Sequence, residues 1–155
     1  MKLALPDSLR DQIAREAWAA YPGECCGLIE GLRVEGTAQR DGFHATALHP
    51  ARNLAAARYR FELDPADHFK ALKAARARGH ALIGCYHSHP DGQAAPSQAD
   101  QGGAAQAGFL WVIAATDGSD CRVAAFAYRA PGFEDVALCS WVGADWVTSS
   151  LNERS

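Results

Sequence analysis

The sequence predicts an α/β domain of the segregated α+β kind: a mixed, largely antiparallel sheet flanked by two or three helices. Short apolar runs with strand character recur along the chain, at 25–32, 43–48, 58–63, 81–87, 109–115 and 121–129. Two longer segments, 6–20 and 65–78, carry apolar residues at helical spacing instead. The two runs on either side of Asp117-Gly118 are joined by a dipeptide suited to a tight hairpin, which argues for antiparallel pairing. The chain has 155 residues, 48% hydrophobic and 21% charged, the size and make-up of one globular domain spanning 1–155 with its core over about 5–130.

Pro6 to Ala20 reads as the first helix. Pro6 opens it, Leu9, Ile13 and Ala17 recur every four residues, Trp18 widens the stripe, and Tyr21-Pro22-Gly23 ends it. Cys25 to Leu32 follows as a strand, and Phe43 to Leu48 as a second. His49 to Arg58 is expected to be a loop containing Asn53, with a short strand over Arg58 to Leu63. Asp64 caps a helix that starts at Pro65 and runs to Arg78; Phe69, Leu72 and Ala75 supply its apolar side, and Gly79 terminates it.

Ala81 to His87 reads as a buried strand. Ser88 to Pro96, with glycine and two prolines, reads as a loop, and Ser97 to Ala107 as a short helix weakened by Gly102-Gly103. The hairpin strands are Phe109 to Ala115 and Cys121 to Arg129. Val136 to Trp146 holds a final strand, and the tail after Ser149 is expected to fray.

Several function classes are disfavoured by composition. The net charge is -3, and the three lysines (Lys2, Lys70, Lys73) are scattered, so no basic stripe exists to grip nucleic acid. No run approaches the ~18 apolar residues of a membrane span, and Met1 to Asp11 lacks the pattern of a secretory signal. Cytoplasmic residence is the resulting expectation. The five cysteines are an odd number, four of them in strand-like sequence, and are read as reduced thiols rather than a disulfide framework.

The strongest chemical signal is Cys85-Tyr86-His87-Ser88-His89-Pro90, followed by Pro96-Ser97-Gln98-Ala99-Asp100. His87 and His89, two apart at a strand end, leave the same face. Asp100 comes eleven residues after the second histidine. Two imidazoles and a carboxylate suit one divalent ion, zinc above others, with a fourth position for water whose pKa the ion lowers. Competing readings exist for each residue. Ser97 and Asp100 three apart also make a helix capping box, and Cys85 shares the face of His87 as a rival ligand or nucleophile, although core packing suits it better. Ser88 points to the opposite face and is expected to bond to nearby backbone. Asp91 is read as a turn residue over a partner for a ligand histidine.

The arrangement His87-Ser88-His89-Pro90 with Ser97 and Asp100 resembles the motif of the JAMM (JAB1/MPN/Mov34) metalloproteases. Pro22-Gly23-Glu24-Cys25-Cys26-Gly27-Leu28-Ile29 is similar to the glutamate-bearing strand of their short bacterial members, and Asn53, Phe61 and Asp64-Pro65 fall where those members have similar residues. The resemblance implies a JAMM/MPN-like architecture, related to that of cytidine deaminases. It implies His87, His89 and Asp100 as ligands of Zn2+, Glu24 as the catalytic glutamate, and Ser97 as the serine that stabilises the tetrahedral intermediate. It implies hydrolysis of a peptide or isopeptide bond next to the C-terminus of a ubiquitin-like sulfur-carrier protein or its conjugate, and it allows a homodimer. Two other functions stand beside this one: a non-catalytic module that binds a ubiquitin-like protein, and a metallohydrolase of small peptides or amides. A general base placed over an open ion position has no use in a mere binder, so Glu24 discriminates between them.

Overall fold

The computed structural model describes residues 1–35, 42–55, 60–104, 106–142 and 145–148, with side chains up to residue 139. In chain order the elements are β1 (Lys2–Ala4), α1 (Asp7–Ala20), β2 (Cys26–Val34), β3 (Gly42–Ala51), α2 (Pro65–Ala77), β4 (Ala81–His89), α3 (Gln98–Gly103), β5 (Leu110–Thr116), β6 (Cys121–Arg129), β7 (Gly132–Val142) and β8 (Asp145–Thr148). They form one mixed, mostly antiparallel sheet in the order β1-β3-β2-β4-β5-β6-β7-β8. The parallel pairs are β4 with β5 and β1 with both β3 and β7. Because β1 bonds to β3 on one side and β7 on the other, the sheet closes into a ring from which β8 extends.

Side-chain alternation divides the core into two clusters. One holds Ile29, Tyr86, Leu110, Val112 and the α1 residues Ile13 and Ala17. The other holds Leu28, Cys85, Trp111, Ile113 and, from α2, Ala71. Beyond the irregularity at Leu82–Gly84, odd-numbered β4 residues face the α2 side, where His87 and His89 emerge beyond Cys85. Even-numbered ones face α1, where the Tyr86 hydroxyl donates to Glu16 at 2.8 Å. Gly27 lies beside Tyr86 across the β2–β4 ladder, and a Cβ there would collide with the hydroxyl-bearing end of the tyrosine ring.

Several boundaries differ from expectation. β3 runs on through His49-Pro50-Ala51, the start of the loop expected over His49 to Arg58, because these residues keep pairing with Cys26 to Leu28. The expected strand over 58–63 is reduced to a single bridge between Leu63 and Asn53; Arg60 and Glu62 instead bond through their backbone to the Asn53 side chain, and 58–59 lie outside the described residues. β4 continues two residues past His87, its ladder with β5 extending to His89. α3 ends at Gly103, four residues short of Ala107, as a glycine pair that cannot sustain a helix would dictate. The α2 contact is made by Ala71 and Ala75, and Phe69 is 67% exposed, so the apolar stripe is narrower and rotated from the expected one. The C-terminal segment read as one strand is two, β7 and β8. β1 was not anticipated, since Leu3-Ala4-Leu5 is too short to carry a periodic signal. All five cysteines are free thiols.

Candidate metal centre

The site is assembled by strand register. Cys26 of β2 pairs with His87 of β4, so continuing the antiparallel ladder by two residues brings Glu24 opposite His89. Glu24 lies just ahead of β2, and the ladder persists there through a hydrogen bond from the Ser88 amide to the Cys25 carbonyl at 3.1 Å. The Ser88 hydroxyl, on the opposite face from the histidines, accepts from the Cys25 amide at 2.8 Å. Glu24 thus reaches the histidine pair across 63 residues of sequence without any insertion.

Asp100 is delivered by α3. Ser97 caps that helix: its hydroxyl accepts from the Asp100 amide at 3.1 Å, and its own amide donates to Asp100 Oδ2 at 2.7 Å. The capping box and the site carboxylate are therefore the same pair of residues. Asp100 Oδ1 lies 3.1 Å from His87 Nε2, and Oδ2 lies 3.1 Å from His89 Nε2. The two Nε2 atoms are 2.9 Å apart, and Glu24 Oε1 is 3.9 Å from His89 Nε2. Glu24, His87 and His89 each offer a ligand atom within 4.8 Å of the others, and all three side chains are buried. The structure thus brings together all five residues singled out in the sequence.

This donor set fits a tetrahedral ion. Bonds of about 2.0–2.1 Å to a tetrahedral metal place neighbouring donors about 3.3 Å apart, and the observed separations fall on either side of that value. His89 Nδ1 donates to the Gln93 carbonyl at 2.8 Å, and a carbonyl only accepts. With Nδ1 held in this way, Nε2 is the nitrogen a neutral ring would offer to an ion beside the Asp100 carboxylate. Asp91 plays no part in orienting the ring; its carboxylate accepts from the Gln93 amide at 3.0 Å in a turn.

Electrostatics separate the two carboxylates. Burial pushes Glu24 up to about 7, with Asp100 and Asp91 adding to the rise and His89 opposing it. Burial also works against ionised Asp100, but the hydrogen bonds of His87 and His89 outweigh it and hold that carboxyl far below the usual range. Burial lowers the pKa of His87; burial also works against a charged His89, but the hydrogen bonds to Asp100 and to the Gln93 carbonyl, together with the charges of Asp100 and Glu24, raise it overall. Glu24 Oε2 is buried with no hydrogen-bond partner, a free acceptor at the edge of the centre.

Aromatic packing fixes His87 from behind. Phe61 stacks on it at 4.3 Å and 22°, and Trp111 meets it edge-on at 5.7 Å. Phe61 and Trp111 also line a cleft of about 670 Å3 that reaches Asp100 and is bounded on the α3 side by Gly102 and Gly103. A separate hollow of about 30 Å3 is bordered by Glu24, His89 and Ser97; it is the size of one water. Cys85 lies one residue pair deeper, at the floor of the cleft, buried and with its thiol pushed well above its usual pKa by that burial. It packs with Leu28 and Trp111 and is no ligand of this centre.

A family model described as prokaryotic homologs of the JAB domain matches residues 6–128. The chain belongs to this family. Its similarity to a desampylase of Haloferax volcanii is 33% identity over 142 residues, covering 88% of this chain and 95% of that protein. The solution structure of a Desulfitobacterium hafniense protein superposes with a TM-score of 0.73 at 26% identity, covering 92% of this chain and 95% of the other. One from Salinibacter ruber gives a TM-score of 0.64 at 33% identity, covering 98% and 94%. The family match over 6–128 includes Glu24, His87, His89 and Asp100. What distinguishes this JAB-domain chain's site in physical terms is one carboxylate held as an anion beside another whose proton affinity is raised. Sequence reasoning gave Phe61 no role: its stacking on His87 joins residues from an irregular segment and a strand, and no periodicity marks such a contact.

Proposed function

We propose that this JAB-family protein is a zinc-dependent peptidase that hydrolyses the peptide or isopeptide bond next to the C-terminus of a ubiquitin-like sulfur-carrier protein. The observation that carries this reading is the convergence of Glu24, His87, His89 and Asp100 on one point at the end of β4. His87, His89 and Asp100 hold the ion: they are the mutually closest donors, and Asp100 stays ionised. When bound, zinc polarises the scissile carbonyl and acidifies the attacking water.

Glu24 is the base. Its proton affinity is raised by burial, its Oε2 is unengaged, and it stands 3.9 Å from the nearest ligand nitrogen. It takes a proton from the attacking water and gives one to the leaving amine. The Ser97 oxygen accepts from Asp100, which leaves its O–H free to donate to the oxyanion. The substrate's extended tail lies in the 670 Å3 cleft, where Gly102 and Gly103 let its backbone approach. The desampylase of Haloferax volcanii supports a ubiquitin-like partner for this chain as well. The chain acts as one domain over 1–155, in the cytoplasm, where its five free thiols stay reduced.

The test is incubation of zinc-loaded protein with a ubiquitin-like carrier extended beyond its terminal Gly-Gly, followed by mass measurement of the products. Glu24→Gln should lower kcat by about 10²–10⁴-fold while zinc content stays as in the wild type. A kcat that falls less than about tenfold on this substitution would refute the assigned mechanism.

A further inference from the structure

We propose that Asn53 is a positioning residue for this reaction, its side-chain amide holding the backbone of Glu24 and the aromatic support of His87 in one fixed relation. The inference rests on the reading of Glu24 as the base. Asn53 lies in the irregular segment after β3, and all the hydrogen-bonding capacity of its amide is used on main chain. Nδ2 donates to the Glu24 carbonyl at 3.1 Å and to the Arg60 carbonyl at 3.2 Å. Oδ1 accepts from the Ala55 and Glu62 amides, each at 2.9 Å.

Two of these partners, Arg60 and Glu62, flank Phe61, the ring stacked on His87 at 4.3 Å. A third, Ala55, shapes the segment itself. The fourth leaves the segment altogether and reaches Glu24, 29 residues back. A residue serving only its own loop needs the first three and not the last.

The Glu24 carbonyl and the Cys25 amide belong to one rigid peptide plane. Asn53 holds the oxygen side of that plane, and the Ser88 hydroxyl holds the nitrogen side at 2.8 Å. Glu24 precedes β2, ahead of its registered pairs with β4, and this clamp on the peptide that follows it fixes the direction in which its side chain leaves. Geometry of this kind is worth much in rate, since a misplacement of about 1 Å can cost about 10²-fold.

Asn53→Asp is the discriminating change. It keeps an oxygen for Ala55 and Glu62 but sets a second oxygen against the Glu24 and Arg60 carbonyls, breaking both donations. With a ubiquitin-fold carrier extended past Gly-Gly as substrate, kcat should fall about 10–100-fold with KM and zinc content nearly unchanged. In the Glu24→Gln background the same substitution should cost nothing further, because no base remains to be misplaced. A second readout is independent of turnover. In metal-free protein, NMR should show the His87 ring protons losing the ring-current shift of stacked Phe61, moving toward their positions in Phe61→Leu.

An equal loss of kcat with and without Glu24 would overturn the proposal, and so would unchanged kcat with unmoved His87 resonances. If Asn53→Asp fails to fold, Asn53→Ser, smaller and with one donor, carries the same cycle. A wild-type chain that cleaves no carrier would overturn the proposed function and leave the His87 resonances to decide the role of Asn53.

Discussion

Lowering the pH should weaken the fold through one carboxylate remote from the metal centre. Glu30, in the middle of β2, is fully buried, yet its charge is met from three sides. Arg78 donates from Nε and Nη2 at 2.8 and 2.6 Å, and His49 and His80 each approach to 2.7 Å. The Arg78 hydrogen bonds, against the opposing effect of burial and with help from both histidines, bring the carboxyl from 4.5 down to about 2. At about 1.4 kcal/mol per pH unit that lowering corresponds to about 3 kcal/mol of folding stability. The Arg78 side chain is 52% exposed, so solvent screens part of this and the figure is an upper value.

The sign follows from the folded pKa lying below the unfolded one. The stabilisation is complete above about pH 5.5, declines as pH falls through 4.5 toward 2, and is about half lost at pH 3. Urea unfolding of metal-free wild type and Glu30→Gln at pH 6, 4.5 and 3 isolates the effect, because the other titrating groups are common to both chains. Gln leaves Arg78 poorly matched, which adds a constant cost. On top of that constant, the stability gap between the two proteins should shrink by about 2 kcal/mol from pH 6 to pH 3. A gap that stays level across this range would refute the reasoning.

Two further substitutions probe α3 and the cleft. Ser97→Ala removes both a helix cap and the proposed oxyanion donor, so it should cost about 1 kcal/mol of stability and lower kcat by about 10²-fold; a loss of stability at unchanged kcat would leave Ser97 a cap alone. A Cβ at Gly102 meets nothing within 4 Å, so Gly102→Ala should stabilise the protein by about 0.5–1 kcal/mol in thermal unfolding. Gly102→Val should raise KM for the extended carrier at constant kcat; an unaltered KM would show that the tail does not pass α3.

The proposed ligand set was legible because it is local. Two histidines on one strand face and a helix-start carboxylate 11 residues on keep their relation whatever the rest of the chain does. Asp64 and Pro65 likewise announced α2 by cap chemistry alone. Glu30 was not read, although a charge inside the apolar run Leu28-Ile29-Glu30-Gly31-Leu32 was a visible signal, since a buried carboxylate demands partners. Its partners stand 19, 48 and 50 residues away, so no spacing points to them. β1 and the continuation of β3 through Pro50 escaped for a related reason: pairing made in three dimensions overrode weak local preference.

The base shows how a long-range placement can still rest on short-range rules. Glu24 meets His89 only because β2 and β4 pair in one register, and a slip of a single residue would turn Glu24 away from the histidines. Tyr86 guards that register. Its hydroxyl is tied to Glu16 on α1, and its ring occupies the space that a side chain at position 27 would need. The residue facing that ring must therefore be a glycine, and Gly27 is flanked in β2 by Cys26 and Leu28, neither of which fits. The glycine in Cys26-Gly27-Leu28 thereby fixes the pairing three residues downstream of Glu24, and through the pairing it fixes which face of the sheet carries the base.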